Sequence, residues 1–164
     1  LYLLSLVGER TVKPLLVTKY SERLAVFSPD GKWIAYVSDE SGRDEVYARR
    51  YPELGAPVKL SSEGGDTPLW SLDGAELFFT RELDLYAVSF RDGSAGAPHR
   101  LVNGRQRGSR NSLAGGALYG RLFDVARDGR FLMSQSELNV PNGAEYQVVL
   151  NWMTDVRARM ASRK

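Results

Sequence analysis

Apolar residues along this chain fall into short runs, each closed by a turn residue such as glycine, proline or aspartate. Runs of that length with regular turn signals predict strands rather than helices. Three of them repeat one pattern. The first is Phe27-Ser28-Pro29-Asp30-Gly31-Lys32-Trp33-Ile34-Ala35-Tyr36-Val37-Ser38, and the second is Trp70-Ser71-Leu72-Asp73-Gly74-Ala75-Glu76-Leu77-Phe78-Phe79-Thr80. The third is Val125-Ala126-Arg127-Asp128-Gly129-Arg130-Phe131-Leu132-Met133-Ser134. Asp-Gly between apolar runs predicts a hairpin. The turn takes a positive φ that glycine adopts freely, and the aspartate carboxylate accepts hydrogen bonds from turn amides.

A second echo follows the hairpins. Glu45-Val46-Tyr47-Ala48 and Asp84-Leu85-Tyr86-Ala87-Val88 match the opening Leu1-Tyr2-Leu3-Leu4, so Tyr2, Tyr47 and Tyr86 take equivalent places on a third strand. Weaker fourth strands are predicted at Pro14-Leu15-Leu16-Val17, Val58-Lys59-Leu60-Ser61 and His99-Arg100-Leu101-Val102. Asp30 and Asp73 lie 43 residues apart, the length of a four-stranded propeller blade of ~40–45 residues. Asp73 and Asp128 lie 55 apart, which places an insertion in the glycine- and arginine-rich stretch 103–120. The predicted fold is all-β. It is a β-propeller fragment of about three to three and a half four-stranded antiparallel blades over residues 1–151. A short C-terminal helix or tail follows over 152–164, where Met153, Val156 and Met160 could share one face. Such a set of blades does not close a ring. The missing blades are expected from upstream sequence, since the chain opens without methionine inside a structural unit; a second copy of the chain is the other source.

The stretch Phe27–Tyr47 resembles the TolB-like propeller repeats of bacteria almost position for position, most closely those at the C-termini of serine/threonine kinases and winged-helix regulators. Val148-Val149-Leu150-Asn151-Trp152 is similar to the usual last strand of that family, which implies that the chain holds the C-terminus of its parent. The resemblance specifies the fold far better than the function, because propellers host many unrelated activities. Two departures weaken the turn consensus. Leu72 stands where the first copy has Pro29, and Ala126-Arg127 replace its Ser28-Pro29.

Composition narrows the function. At 164 residues, with 43% hydrophobic and 26% charged residues, the chain has the make-up of a folded globular domain. It has no cysteine, which excludes disulfides and thiolate metal sites. No apolar run has the 18 or so residues of a membrane helix. There is no Gly-x-Ser-x-Gly nucleophile elbow and no kinase phosphate or catalytic-loop motif, so no enzyme is predicted within the chain and no cofactor is implied. The single histidine, His99, sits on an outer strand and cannot build a zinc site alone. Asp39, Glu40, Asp44 and Glu45 surround Ser41-Gly42-Arg43. Oxygen ligands raise calcium as one reading, but the spacing of a calcium loop is missing, and a solvated hairpin tip offset by Arg43 is the expectation. Trp33, Tyr36, Trp70, Phe78 and Phe79 are expected to pack between blades, while Tyr51-Pro52 lies nearer a surface.

Charge is unevenly placed. Between His99 and Arg130 there are Arg100, Arg105, Arg107, Arg110, Arg121, Arg127 and Arg130 against Asp124 and Asp128 only. Two readings stay open: a basic surface for an anionic partner, or a solvated insertion followed by a frayed tail. On the first reading Arg105, Arg107, Arg110 and Arg121 are the candidate partner-binding residues, and the partner is a protein, a peptide or a small polar ligand. Nucleic acid is disfavoured because no aromatics interleave with the arginines. The expected role is a non-catalytic sensor or scaffold within a larger bacterial protein. The alternative is a propeller that gates a prolyl-oligopeptidase-like hydrolase or a kinase encoded outside the chain. The resemblance implies a periplasmic or other extracytoplasmic location.

Overall fold

The computed structural model describes residues 1–82, 84–103 and 123–133, and every described element is a strand or a turn. Two complete antiparallel meanders follow one another. The first runs β3 (Glu22–Phe27), β4 (Trp33–Ser38), β5 (Glu45–Arg50) and β6 (Val58–Lys59) in sequence order. The second runs β7 (Asp66–Trp70), β8 (Glu76–Arg81), β9 (Asp84–Arg91) and β11 (His99–Val102), with a two-residue β10 (Ser94–Ala95) extending the end of β9. Half-sheets flank them: β1 (Tyr2–Leu4) with β2 (Val12–Pro14) before, and β12 (Phe123–Val125) with β13 (Phe131–Met133) after. The innermost strands β3 and β7 lie side by side. Consecutive meanders packed face to face with their first strands adjacent are blades of a β-propeller.

Alternation along the strands makes both faces of a blade apolar, and both faces of the second blade meet a neighbour. Ala35, Val37, Val46, Ala48 and Leu60 of the first blade pack on Trp70, Leu77, Phe79, Tyr86, Val88 and Phe90 of the second. The other face of the second blade, through Leu69, Phe78, Leu85 and Ala87, receives Phe123, Val125 and Phe131. Phe90 anchors the first seam, with Trp33 and Trp70 both edge-on to it at ring centroid distances of 4.9 and 5.1 Å. Each such buried aromatic contributes about 1.5–3 kcal/mol from area alone. Tyr36 stacks on Tyr47, and Phe79 stacks on Tyr86, at matching cross-strand positions. Of the five aromatics predicted to pack between blades, Trp33, Trp70, Phe78 and Phe79 do so, with Trp33 partly exposed, whereas Tyr36 stacks on Tyr47 of its own blade.

The Asp-Gly turns form with a different mechanism from the tight hairpin the sequence predicted. Gly31, Gly74 and Gly129 have φ of 70°, 71° and 80°, but the paired residues Phe27 and Ile34 stand further apart than a two-residue loop allows. A serine closes the gap. The Ser28 hydroxyl donates to Asp30 Oδ1 (2.6 Å) and accepts from the Trp33 amide (2.9 Å). Ser71 repeats both bonds with Asp73 and the Glu76 amide, at 2.7 and 2.9 Å. The third copy has Ala126 there, and its turn is one residue shorter: Val125 pairs with Phe131. A true two-residue hairpin is Asp92-Gly93, with φ of 49° and 85°, between the paired Arg91 and Ser94. Another repeated device went unpredicted. Leu24 and Thr67, 43 residues apart, both have positive φ at a bulge in the innermost strand.

The first fourth strand lies at Val12–Pro14 rather than 14–17, because its register is set by Tyr2 opposite Pro14. The predicted last strand at 148–152, the C-terminal helix at 152–164 and the insertion from 104 onward lie outside the described residues. Among the described residues no helix is long and apolar enough to cross a membrane.

Candidate functional site

Polar side chains gather on the face opposite the three Asp-Gly turns, where β4 turns into β5 and where the chain crosses from one blade to the next. That crossover, residues 60–66, joins the end of β6 to the start of β7. It is tied down by backbone bonds from Leu60 N to Val46 O (2.8 Å) and from Gly65 N to Asp44 O (3.1 Å). Gly65 is required by proximity, since a Cβ there would sit 2.7 Å from Ser61 Oγ and 2.9 Å from Val46 Cγ2.

Glu45 holds the crossover from inside. Its carboxylate is fully buried, accepts hydrogen bonds from the Ser61 hydroxyl and from the Gly64 amide (3.0 Å), and has Arg43 Nε and Lys59 Nζ each 3.4 Å from Oε1. Oε1 makes no hydrogen bond of its own, so the two cations act on it as charges only. Ser61 Oγ also accepts from Val46 N at 2.8 Å. This corrects the expected solvated tip, in which Glu45 was grouped with the surface carboxylates. The first residue of a third strand points into the blade, and the cations of the fourth strand and the tip follow it. The pairing repeats in the second blade. Asp84, two residues before Tyr86, pairs with Arg100 at 3.2 Å, and Arg100 lies opposite Tyr86 as Lys59 lies opposite Tyr47.

Arg23 joins the two blades at their inner edge. Its guanidinium grips both oxygens of Asp44 at 2.7 and 2.8 Å and reaches Asp66 Oδ2 at 3.4 Å. The hydrogen bond from Arg23 holds the Asp44 carboxyl below its ordinary range. Beyond it, the Thr67 and Thr80 hydroxyls bond at 2.7 Å, and Arg81 lies over the Tyr86 ring (4.2 Å) while pairing with Glu63 (2.6 Å). Asp39 Oδ1 accepts from the Ser21 amide at 2.9 Å. Asp44, Glu45, Asp66 and Asp84 are thus all engaged by cations or amides, which is a chemistry of positioning.

The candidate partner-binding residues Arg105, Arg107, Arg110 and Arg121 lie outside the described residues. The two ends of their segment are fixed. Val102 pairs with Leu85 at the start of β9, and Phe123 is buried at the head of β12 beside Leu69 and Leu85. The segment therefore leaves and rejoins the sheets at the blade-to-blade crossover, on the face just described. Of the remaining arginines of the 99–130 stretch, Arg100 is tied to Asp84 on this face, and Arg130 is tied to Asp128 (2.8 Å) at the third Asp-Gly turn on the opposite face. His99 is exposed on β11, and Tyr51 packs edge-on against Phe27 at 5.1 Å.

No family model matches the chain, and no curated protein matches it. Solved structures do. A protein assigned as TolB from Agrobacterium tumefaciens is similar over 56% of this chain and 37% of its own, at 19% identity and a TM-score of 0.45. An oligogalacturonate lyase from Vibrio parahaemolyticus is similar over 58% of this chain and 27% of its own, at 20% identity and the same TM-score of 0.45. The chain thus spans well under half the length of either structure.

The sequence missed Arg23 and Glu45 as the organisers of this face. Glu45 had one legible signal: an acid two residues ahead of the third-strand tyrosine, matched by Asp84 ahead of Tyr86, with Lys59 and Arg100 downstream.

Proposed function

We propose that the chain is a non-catalytic binding module, a propeller whose blades form a rigid frame and whose crossover face presents the contacts to a partner. The observation that carries this reading is the division of labour between the two crossovers. The first, residues 60–66, is short, and its Leu60, Ser61, Gly64 and Gly65 are bonded to Asp44, Glu45 and Val46 of the first blade. The second, between Val102 and Phe123, interposes some twenty residues carrying Arg105, Arg107, Arg110 and Arg121 at the equivalent point. Long connections on a rigid β frame are where recognition residues collect. Guanidinium groups favour carboxylates and phosphates through paired hydrogen bonds.

The partner on this reading is an anionic protein or peptide, engaged without covalent chemistry and without a cofactor. The likeness of the repeats to TolB-like propellers supports a place outside the cytoplasmic membrane, as one part of a longer bacterial protein. A labelled poly-glutamate peptide serves as the probe, read by fluorescence polarisation. Binding is expected to weaken at least tenfold in a variant with all four arginines changed to alanine, and to weaken with salt. Equal binding by both proteins would remove the arginines from the proposal.

A further inference from the structure

Asp-Gly occurs four times in the chain, at 30–31, 73–74, 92–93 and 128–129. The dipeptide carries a reaction of its own, because glycine leaves its amide nitrogen unshielded beside the aspartyl carboxyl. That nitrogen attacks the protonated carboxyl; an N–C bond forms, and the carboxyl hydroxyl and the amide proton leave as water. Water then opens the five-membered imide. Opening at the original main-chain carbonyl leaves the backbone running through the aspartyl side chain, an isoaspartyl link one carbon longer at unchanged mass. No oxidant or cofactor enters.

Three of the four corners are restrained against this step at both reacting groups. The amides of Gly31, Gly74 and Gly129 donate to Ser28 O (2.9 Å), Ser71 O (3.0 Å) and Ala126 O (3.0 Å). The Asp30 carboxylate accepts from Ser28 Oγ and the Lys32 amide, and Asp73 from Ser71 Oγ and the Ala75 amide. Asp128 accepts from the Arg130 amide and Nε. Hydrogen bonds from Ser28, Ser71 and Arg130 hold these three carboxyls below their ordinary pKa, so they stay ionised where the attack needs the acid. Asp92-Gly93 has none of these restraints. Asp92 is exposed, and among the described residues no donor meets its carboxylate and the Gly93 amide donates to no backbone carbonyl.

We propose that Asp92 is a site of spontaneous isoaspartate formation in the folded chain, and that the modification loosens the seam between the first and second blades. The tip of the β9–β10 hairpin closes that seam. Gly93 lies so near the Trp33 ring that a Cβ on it would be 2.9 Å from Cη2, and Ala95 packs with Trp33 and Val58 on the shared core. One extra main-chain carbon in a two-residue loop breaks the match of Arg91 to Ser94 and moves this tip off Trp33. Each hydrogen bond that must break before carboxyl and amide meet slows the step by a factor of about 2–10, so Asp92 should react at least roughly tenfold faster than Asp30, Asp73 or Asp128. The site lies on the face opposite the crossover and is independent of the partner-binding reading.

The test is ageing of the purified chain for several weeks at mildly acidic pH, folded in buffer and unfolded in urea. Chymotryptic mapping then separates isoaspartyl from aspartyl peptides at equal mass, while deamidation at Asn103 or Asn142 adds mass and reads separately. In the folded chain the peptide holding Asp92 is expected to lead, and in urea the four corners should react at similar rates. Aged wild type is expected to unfold at lower urea than fresh protein. Asp92→Gly keeps a residue that adopts the positive φ of the turn and cannot form the imide, so its midpoint should hold on ageing. Equal modification at all four corners of the folded chain, a lead by another corner, or none at Asp92 overturns the site. A lead that persists in urea overturns the structural cause. Aged wild type that unfolds as fresh protein does, or Asp92→Gly that loses as much, overturns the link to the seam.

Discussion

Removing the Glu45 carboxylate tests whether the blades are held together through the crossover or through apolar contact alone. In Glu45→Ala the Ser61 hydroxyl and the Gly64 amide lose a charged acceptor in a site without solvent access. Hydrogen bonds to a charged group contribute about 1.5–3 kcal/mol, and stripping one member from a buried charged network costs about 3–5 kcal/mol. The ionic share is smaller than the 3.4 Å contacts imply. Lys59 and Arg43 are substantially exposed and can turn to water, so each pairing is discounted to about 0–1 kcal/mol. The expected loss is therefore about 3–4 kcal/mol for alanine. For Glu45→Gln it is about 1–2 kcal/mol, because the amide keeps one acceptor oxygen but turns its NH2 towards two cations. Urea unfolding followed by tryptophan fluorescence measures both. With a slope near 2 kcal/mol/M, alanine should lower the midpoint by roughly 1.5–2 M. Variants within 0.5 kcal/mol of wild type would refute the reasoning and leave the apolar seams and the Arg23–Asp66 pair to hold the blades.

Four further outcomes follow from the same geometry. Asp44 has its folded pKa lowered by Arg23, so its stabilising share is fully present above the ordinary aspartate pKa of ~3.9 and is lost as pH falls through the lower folded value. The urea midpoint of wild type should drop faster than that of Arg23→Gln between pH 5 and pH 3, by less than about 1 kcal/mol given the exposure of the pair. Gly93→Ala meets both a φ of 85° and a Trp33 ring atom 2.9 Å from the new Cβ, and should cost about 1–3 kcal/mol by thermal or urea unfolding. Ser71→Ala should cost about 1 kcal/mol by breaking the brace between Asp73 and the Glu76 amide. The reverse change, Ala126→Ser, should gain less than 0.5 kcal/mol, since the third turn is one residue shorter and presents no matching amide; a full restoration of about 1 kcal/mol would contradict that geometry.

By itself the sequence determined most of the described strands, their order and the blade period. Those depend on contacts close along the chain: an apolar run, an Asp-Gly corner, a tyrosine on the strand that follows. His99–Val102 was read to the residue, and Tyr2, Tyr47 and Tyr86 do hold equivalent places. Tertiary structure decided the rest, because it depends on which residues meet across long separations. Arg23 and Asp66 are 43 residues apart and touch only because the inner strands of two blades lie side by side. Glu45 reads in sequence as one of four surface acids, yet the strand alternation turns it inward while its neighbour Asp44 faces out to Arg23. Even the repeated corner needed the fold to explain it. The serine two residues before Asp30 and Asp73 matters only once its hydroxyl is seen between the carboxylate and an amide five residues on, and a linear pattern does not distinguish that brace from a tight turn.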